Sequence, residues 1–119
     1  MKAACAWQRF STGEHEYTRY GFRELIEKHA VDIIMPDIPK CGGLSECRKI
    51  ANLADTHNMG VIFHDCTGPV TLASALHLGA HCTNTWMQEI VRDYTLGYYR
   101  ELVDHPFDVV NGRMQPPAR

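Results

Sequence analysis

The stretch VDIIMPDIPKCGG, residues 31–43, decides how the rest of the sequence is read. It opens as a short, mainly apolar run and stops in a turn built on Pro39, Gly42 and Gly43. As a strand it would place Val31, Ile33, Met35 and Asp37 on one face, so an acid closes an otherwise apolar side. A carboxylate held at the end of a buried strand is costly unless it has a partner or a task.

Working outward, three further segments end the same way. A strand-like stretch upstream finishes in Gly13-Glu14, residues 60–64 finish in His64, and the weaker strand candidate at residues 82–87 leads to Glu89. Helical periods lie between them. Residues 17–29 repeat Phe22, Leu25, Ile26 and His29 at intervals of three and four, and residues 44–57 set Leu44, Cys47, Ile50, Ala51 and Ala54 opposite Glu46, Arg48, Lys49, Asn52 and Asp55. A third helix is expected over residues 69–78, with Pro69 at its first position behind Thr67 or Gly68, with Val70, Ala73 and Leu76 inward, and with Gly79 closing it. Beyond Glu89 the expectation is a short helix over residues 98–103 and a tail that wraps a surface without a core of its own.

Strands alternating with helices of ten to fourteen residues predict an α/β fold with parallel strands, as in a doubly wound sheet or an eight-stranded barrel. In a barrel, strand-end groups converge on one site. No glycine-rich phosphate fingerprint follows a strand, which weakens the doubly wound alternative.

Composition narrows the function classes. The chain has 119 residues, 45% hydrophobic and 22% charged, enough for one cored domain, and its net charge of −2 gives no reason to expect nucleic acid or an anionic membrane as partner. No apolar run reaches the roughly 20 residues of a membrane helix, and the opening residues carry no signal-peptide pattern, so a cytoplasmic protein is expected. Five cysteines at irregular spacing fit reduced thiols better than a disulfide framework.

Each ionisable residue also has a plainer reading. Asp37 could cap a turn, His64 could be a satisfied strand-end histidine, and Glu14 competes with Glu16 as the acid-rich start of a helix. Glu89 alone carries almost no signal. The set of Cys41, Cys47, His57, His64, Cys66, His77, His81 and Cys82 lacks paired CxxC or HxxxH spacing, so zinc is the weaker reading. Cys66 could be a nucleophile beside His64, but it lies past the strand, where a packed or rim thiol is the commoner case. Tyr94, Tyr98, Tyr99 and Phe107 read as cover for a barrel or as a subunit contact.

The segments STGEHEYTRYGF, VDIIMPDIPKCGGLSECRKIANLAD, GVIFHDCTGPVTLASALHL and NTWMQE, in this order and spacing, resemble the barrel domain of the mandelate racemase branch of the enolase superfamily. They are most similar to acid-sugar dehydratases of the galactonate dehydratase type. The resemblance implies the C-terminal portion of a (β/α)8-type barrel, with residues 1–105 a partial barrel domain and residues 106–119 a tail packed on the barrel or on a missing capping domain. It implies Glu14 as one carboxylate ligand of Mg²⁺, His64 as acid/base, Asp37 as the acid that orients it, and Glu89 as a contact to the substrate or enediolate. The reaction implied is abstraction of the proton α to a carboxylate and loss of water to a 2-keto-3-deoxy acid, with a small sugar acid as substrate and a homo-oligomeric parent protein. Racemisation or cycloisomerisation within the superfamily and a non-catalytic half-barrel module are the alternatives. Because the upstream lysine-bearing strand and the other two metal carboxylates are missing, the chain is expected to be a partial sequence, inactive by itself.

Overall fold

In the computed structural model, which describes residues 7–118, four strands lie side by side in chain order. They are β1 (Ser11–Thr12), β2 (Ile33–Ile34), β3 (Gly60–Phe63) and β4 (Thr85–Gln88), and every pairing is parallel. Parallel neighbours need a crossover, which helices supply. Helix α1 (Thr18–Glu27) links β1 to β2, α2 (Ile38–Cys41) and α3 (Leu44–Thr56) link β2 to β3, and α4 (Pro69–His81) links β3 to β4. Helices α5 (Arg92–Leu96) and α6 (Tyr99–Leu102) follow. The expected parallel α/β architecture is therefore present. Residues 1–6, the start of the mildly apolar opening, lie outside the described residues.

The alternation of side chains along the strands sorts the sheet into two faces. Ile34, Val61 and Phe63 are fully buried against Phe22 and Ile26 of α1, Cys47, Ile50, Ala51 and Ala54 of α3, and Ala75 and Leu78 of α4. Each large apolar side chain so buried contributes about 1.5–3 kcal/mol. On the other face the Trp86 ring lies over Gly60, where an added Cβ would come within 2.5 Å of it. The Arg9 guanidinium, from the segment just before β1, sits 4.6 Å above the same ring.

Several boundaries differ from the sequence expectations, for identifiable reasons. Residues 38–41, expected as turn, form the single-turn helix α2, because Asp37 caps it and Gly42, at φ +113°, ends it in the left-handed region that favours glycine. Helix α4 runs through Gly79 to His81. There an added Cβ would meet the Thr85 methyl at 3.4 Å, so Gly79 permits close helix–strand packing and does not stop the helix. Of the expected inward set of α4, Leu76 is buried and Ala73 partly so, but Val70 is exposed; Leu72 joins Leu76 in a second cluster with Tyr99 and Phe107. Leu44 and His29 lie outside their expected stripes and are exposed. Helix α5 is not marked by any periodicity. Among the described residues no helix is long and apolar enough to cross a membrane.

Candidate active site

All four ionisable residues singled out in the sequence lie just past the carboxyl end of a strand: Glu14 after β1, Asp37 after β2, His64 after β3 and Glu89 after β4. The middle two are locked together by backbone as well as side chain. Beyond the paired residues of β2 and β3, the His64 amide donates to the Pro36 carbonyl at 3.1 Å, which sets the residues after each strand beside one another. His64 Nδ1 then meets Asp37 Oδ2 at 2.8 Å.

Asp37 is fully buried and uses both oxygens. Oδ1 accepts from the Lys40 amide at 3.0 Å, capping α2, while Oδ2 takes the imidazole. Asp37 thus both caps α2 and hydrogen-bonds His64. A carboxylate can only accept, so the ring proton resides on Nδ1 and the lone pair on Nε2.

Nε2 lies 3.8 Å from Glu89 Oε2, and the Glu89 side chain is 38% exposed. The same Glu89 oxygen accepts the Asp65 amide at 3.0 Å. Glu89 therefore stands beside His64 on the same rim, just beyond hydrogen-bond distance. Glu14 stands apart from this trio. Its carboxylate curls back onto its own strand end, accepting from the Gly13 amide at 3.1 Å and the Thr12 hydroxyl at 3.4 Å. Its own backbone amide, more than any other group, holds its carboxyl below the usual range; partial burial opposes this and the Gly13 amide adds to it.

Two residues that sequence reasoning did not select complete the rim. Asp65 is fully buried, and its Oδ1 accepts from the buried Tyr99 hydroxyl at 3.3 Å. Burial pushes its carboxyl up, the Val91 amide and the Tyr99 hydroxyl pull it back, and neighbouring Glu89 raises it again. Asp65 showed only as a second acid directly after His64, with nothing to mark its partner; Tyr99 offered only an aromatic in the short helix expected over residues 98–103.

Cys66 does not behave as a nucleophile assisted by His64. Its sulfur is 3.9 Å from Nδ1, the nitrogen already engaged by Asp37, and burial raises its thiol. Asp37, His64 and Cys66 do bring ligand atoms within 4.8 Å of one another. That oxygen, nitrogen and sulfur set does not suit Mg²⁺, which takes hard oxygens. Glu14, ionised and half-buried at the rim, is a donor of the right kind but only one of the several required. A hollow lined by His105, Phe107, Asp108, Arg113 and Pro117 is formed within the C-terminal segment and does not include the His64–Asp37 pair.

The sequence pattern of the enolase C-terminal domain-like family matches residues 3–119. This chain belongs to that family. It is 37% identical to the D-xylonate dehydratase of Haloferax volcanii over 92% of its own length and 26% of that enzyme. It is 56% identical to the L-rhamnonate dehydratase of Saccharopolyspora erythraea over 45% of its length and 14% of that enzyme. Among solved structures, an enolase of the mandelate racemase subgroup from Agrobacterium tumefaciens superposes with a TM-score of 0.80 at 42% identity, covering 88% of this chain and 28% of that one. A Salmonella Typhimurium member of the enolase superfamily gives 0.85 at 32% identity, over 90% and 27%. The enolase-superfamily resemblance read from the sequence is therefore established, and the four strands correspond to part of that superfamily's barrel. The chain spans about a quarter of the length of the relatives it matches.

Proposed function

We propose that this chain carries the histidine half of an acid-sugar dehydratase, with His64 as general base and acid, Asp37 as its orienting acid and Glu89 as a substrate contact. The observation that carries this reading is the 2.8 Å pairing of His64 Nδ1 with a fully buried carboxylate at the carboxyl rim of a parallel sheet. Relatives whose names are D-xylonate, D-galactonate and L-rhamnonate dehydratase favour elimination of water over racemisation.

Asp37 keeps the imidazole in one tautomer, so Nε2 is the basic atom and can take a proton beside a substrate carboxylate, then return it to a departing hydroxyl. Glu89, 3.8 Å from Nε2 and partly exposed, is placed to contact the same substrate. Glu14 would furnish one oxygen to a Mg²⁺ ion whose other ligands lie outside the described residues; when bound, that ion supplies positive charge for the electron density that builds on the substrate carboxylate.

The test is a hybrid enzyme in which this chain replaces the matching quarter of the Haloferax enzyme, assayed with Mg²⁺ and a panel of aldonates. Dehydration that disappears in His64→Asn supports the proposal. A folded hybrid that is inert, while the unaltered relative works under the same conditions, overturns it. The isolated chain should show no turnover, because it supplies one metal carboxylate and four strands.

A further inference from the structure

We propose that Tyr99 and Asp65 act as a positioning pair that sets Glu89 against His64, so that the segment after β4 is part of the site and not only its cover. Both side chains are fully buried, and they meet through one hydrogen bond, hydroxyl to Oδ1, at 3.3 Å. Asp65 follows His64 directly in the chain, so fixing its carboxylate fixes the first turn after β3. Its amide in turn holds Glu89 Oε2 at 3.0 Å, the oxygen that lies 3.8 Å from His64 Nε2. The connection therefore runs from the Tyr99 hydroxyl through the Asp65 backbone to the Glu89 carboxylate.

Energetics argue against an incidental contact. A buried carboxylate is costly, and an apolar residue would pack the junction at less expense. Tyr99 belongs to the cluster with Leu72, Leu76 and Phe107, which fastens it to α4. It can thus serve as a fixed anchor against which the turn after β3 is held. The charged and polar groups around Asp65 come from three elements: Tyr99 from α6, His64 from the end of β3, and Glu89 with the Val91 amide from the segment after β4.

The pair rests on the proposed function only in taking Glu89 and His64 as facing one guest. Its test reads positions and not turnover, so it fails independently of the dehydratase reading. In the whole 119-residue chain, Tyr99→Phe keeps the ring and removes the hydroxyl. By NMR, the Asp65 amide should lose exchange protection by about tenfold or more, while amides of α3 such as Ile50 keep theirs. The Asp65 amide shift should also stop following the ionisation of Glu89 as pH is changed. Tyr94→Phe, in a ring whose centre lies 5.9 Å from that of Tyr99, should leave both signals alone.

If Tyr99→Phe shows wild-type protection and the wild-type pH response at Asp65, the proposal is overturned. Should that variant fail to fold, two others put the same question: Asp65→Asn retains an acceptor for the hydroxyl and should keep the protection, and Asp65→Ala should lose it. An alanine variant that matches the asparagine variant at this amide also overturns the proposal.

Discussion

The two middle strands and the two edge strands of the same sheet treat their candidate site residues differently. β2 and β3 are buried along nearly their whole length, whereas β1 is exposed and β4 alternates poorly, with Trp86 and Met87 both exposed. The middle strands deliver Asp37 and His64 in direct contact, with Asp37 fully buried. The edge strands deliver Glu14 and Glu89 as partly exposed carboxylates whose hydrogen bonds are to local backbone or to the next turn. A sheet packed on both sides fixes geometry through its neighbours, while an edge leaves its residues to be completed by whatever pairs there. The proposed acid/base pair is built into the core of this chain; the proposed metal and substrate contacts are built at its margins.

The sharpest way to break this contrast is at Asp37. In the hybrid enzyme, Asp37→Asn retains an oxygen to cap α2 but presents an amide to Nδ1, which reverses the tautomer and removes the lone pair from Nε2. The expected loss in kcat is about 10³-fold, close to 4 kcal/mol of barrier, with little loss of stability. Asp37→Ala should lose the same activity and, in addition, about 1 kcal/mol of stability with the cap. Equal urea midpoints for the two variants would show that the cap contributes nothing.

The next comparison places one substitution at two glycines, Gly13 just after β1 and Gly60 at the start of β3. Gly13 has φ +131°, and an added Cβ would come 2.7 Å from the Phe22 ring, which is fully buried and cannot yield. Gly13→Ala should cost about 2–3 kcal/mol and displace Glu14, whose carboxylate the Gly13 amide holds. At Gly60 the obstructing ring is Trp86, 47% exposed and free to swing out. Gly60→Ala should therefore cost only about 1 kcal/mol, chiefly the contact with Arg9, and should red-shift tryptophan emission. A Gly60 variant as damaging as the Gly13 variant would mean that the β4 edge is as rigid as the core.

The same division explains what could be read from the sequence. The β2 and β3 runs and the stripe of α3 were legible because burial on one or both faces writes a period into the residues. β4 was placed with its first three residues outside the ladder, because Cys82, Thr83 and Asn84 carry little that separates strand from turn. The α2 turn of helix was missed because the Pro and Gly that punctuate a loop also start and end a one-turn helix. His64 and Asp37 were legible as ionisable residues at the ends of apolar runs. Asp65 was not, since nothing in a local pattern shows that its partner lies in α6, 34 residues away.

The smallest expected effect concerns Asp65 and the pH dependence of stability. Burial holds its carboxyl above the ordinary value of 3.8, so the native state binds this proton more tightly than the unfolded chain does. The stability this group contributes is complete below pH 3.8 and is lost as pH rises through its native value. At neutral pH the buried charge is a net cost. Asp65→Asn should therefore raise the urea midpoint at pH 7, by less than about 1 kcal/mol, and flatten the decline between acid and neutral pH. The gain should vanish near pH 3, where the wild-type side chain is itself neutral. An Asp65→Asn variant that is less stable than wild type at pH 7 would mean that the ionised carboxylate is favoured where it sits, through Tyr99 and the Val91 amide, and that the rim charges are balanced within this chain and need no completing partner at its edges.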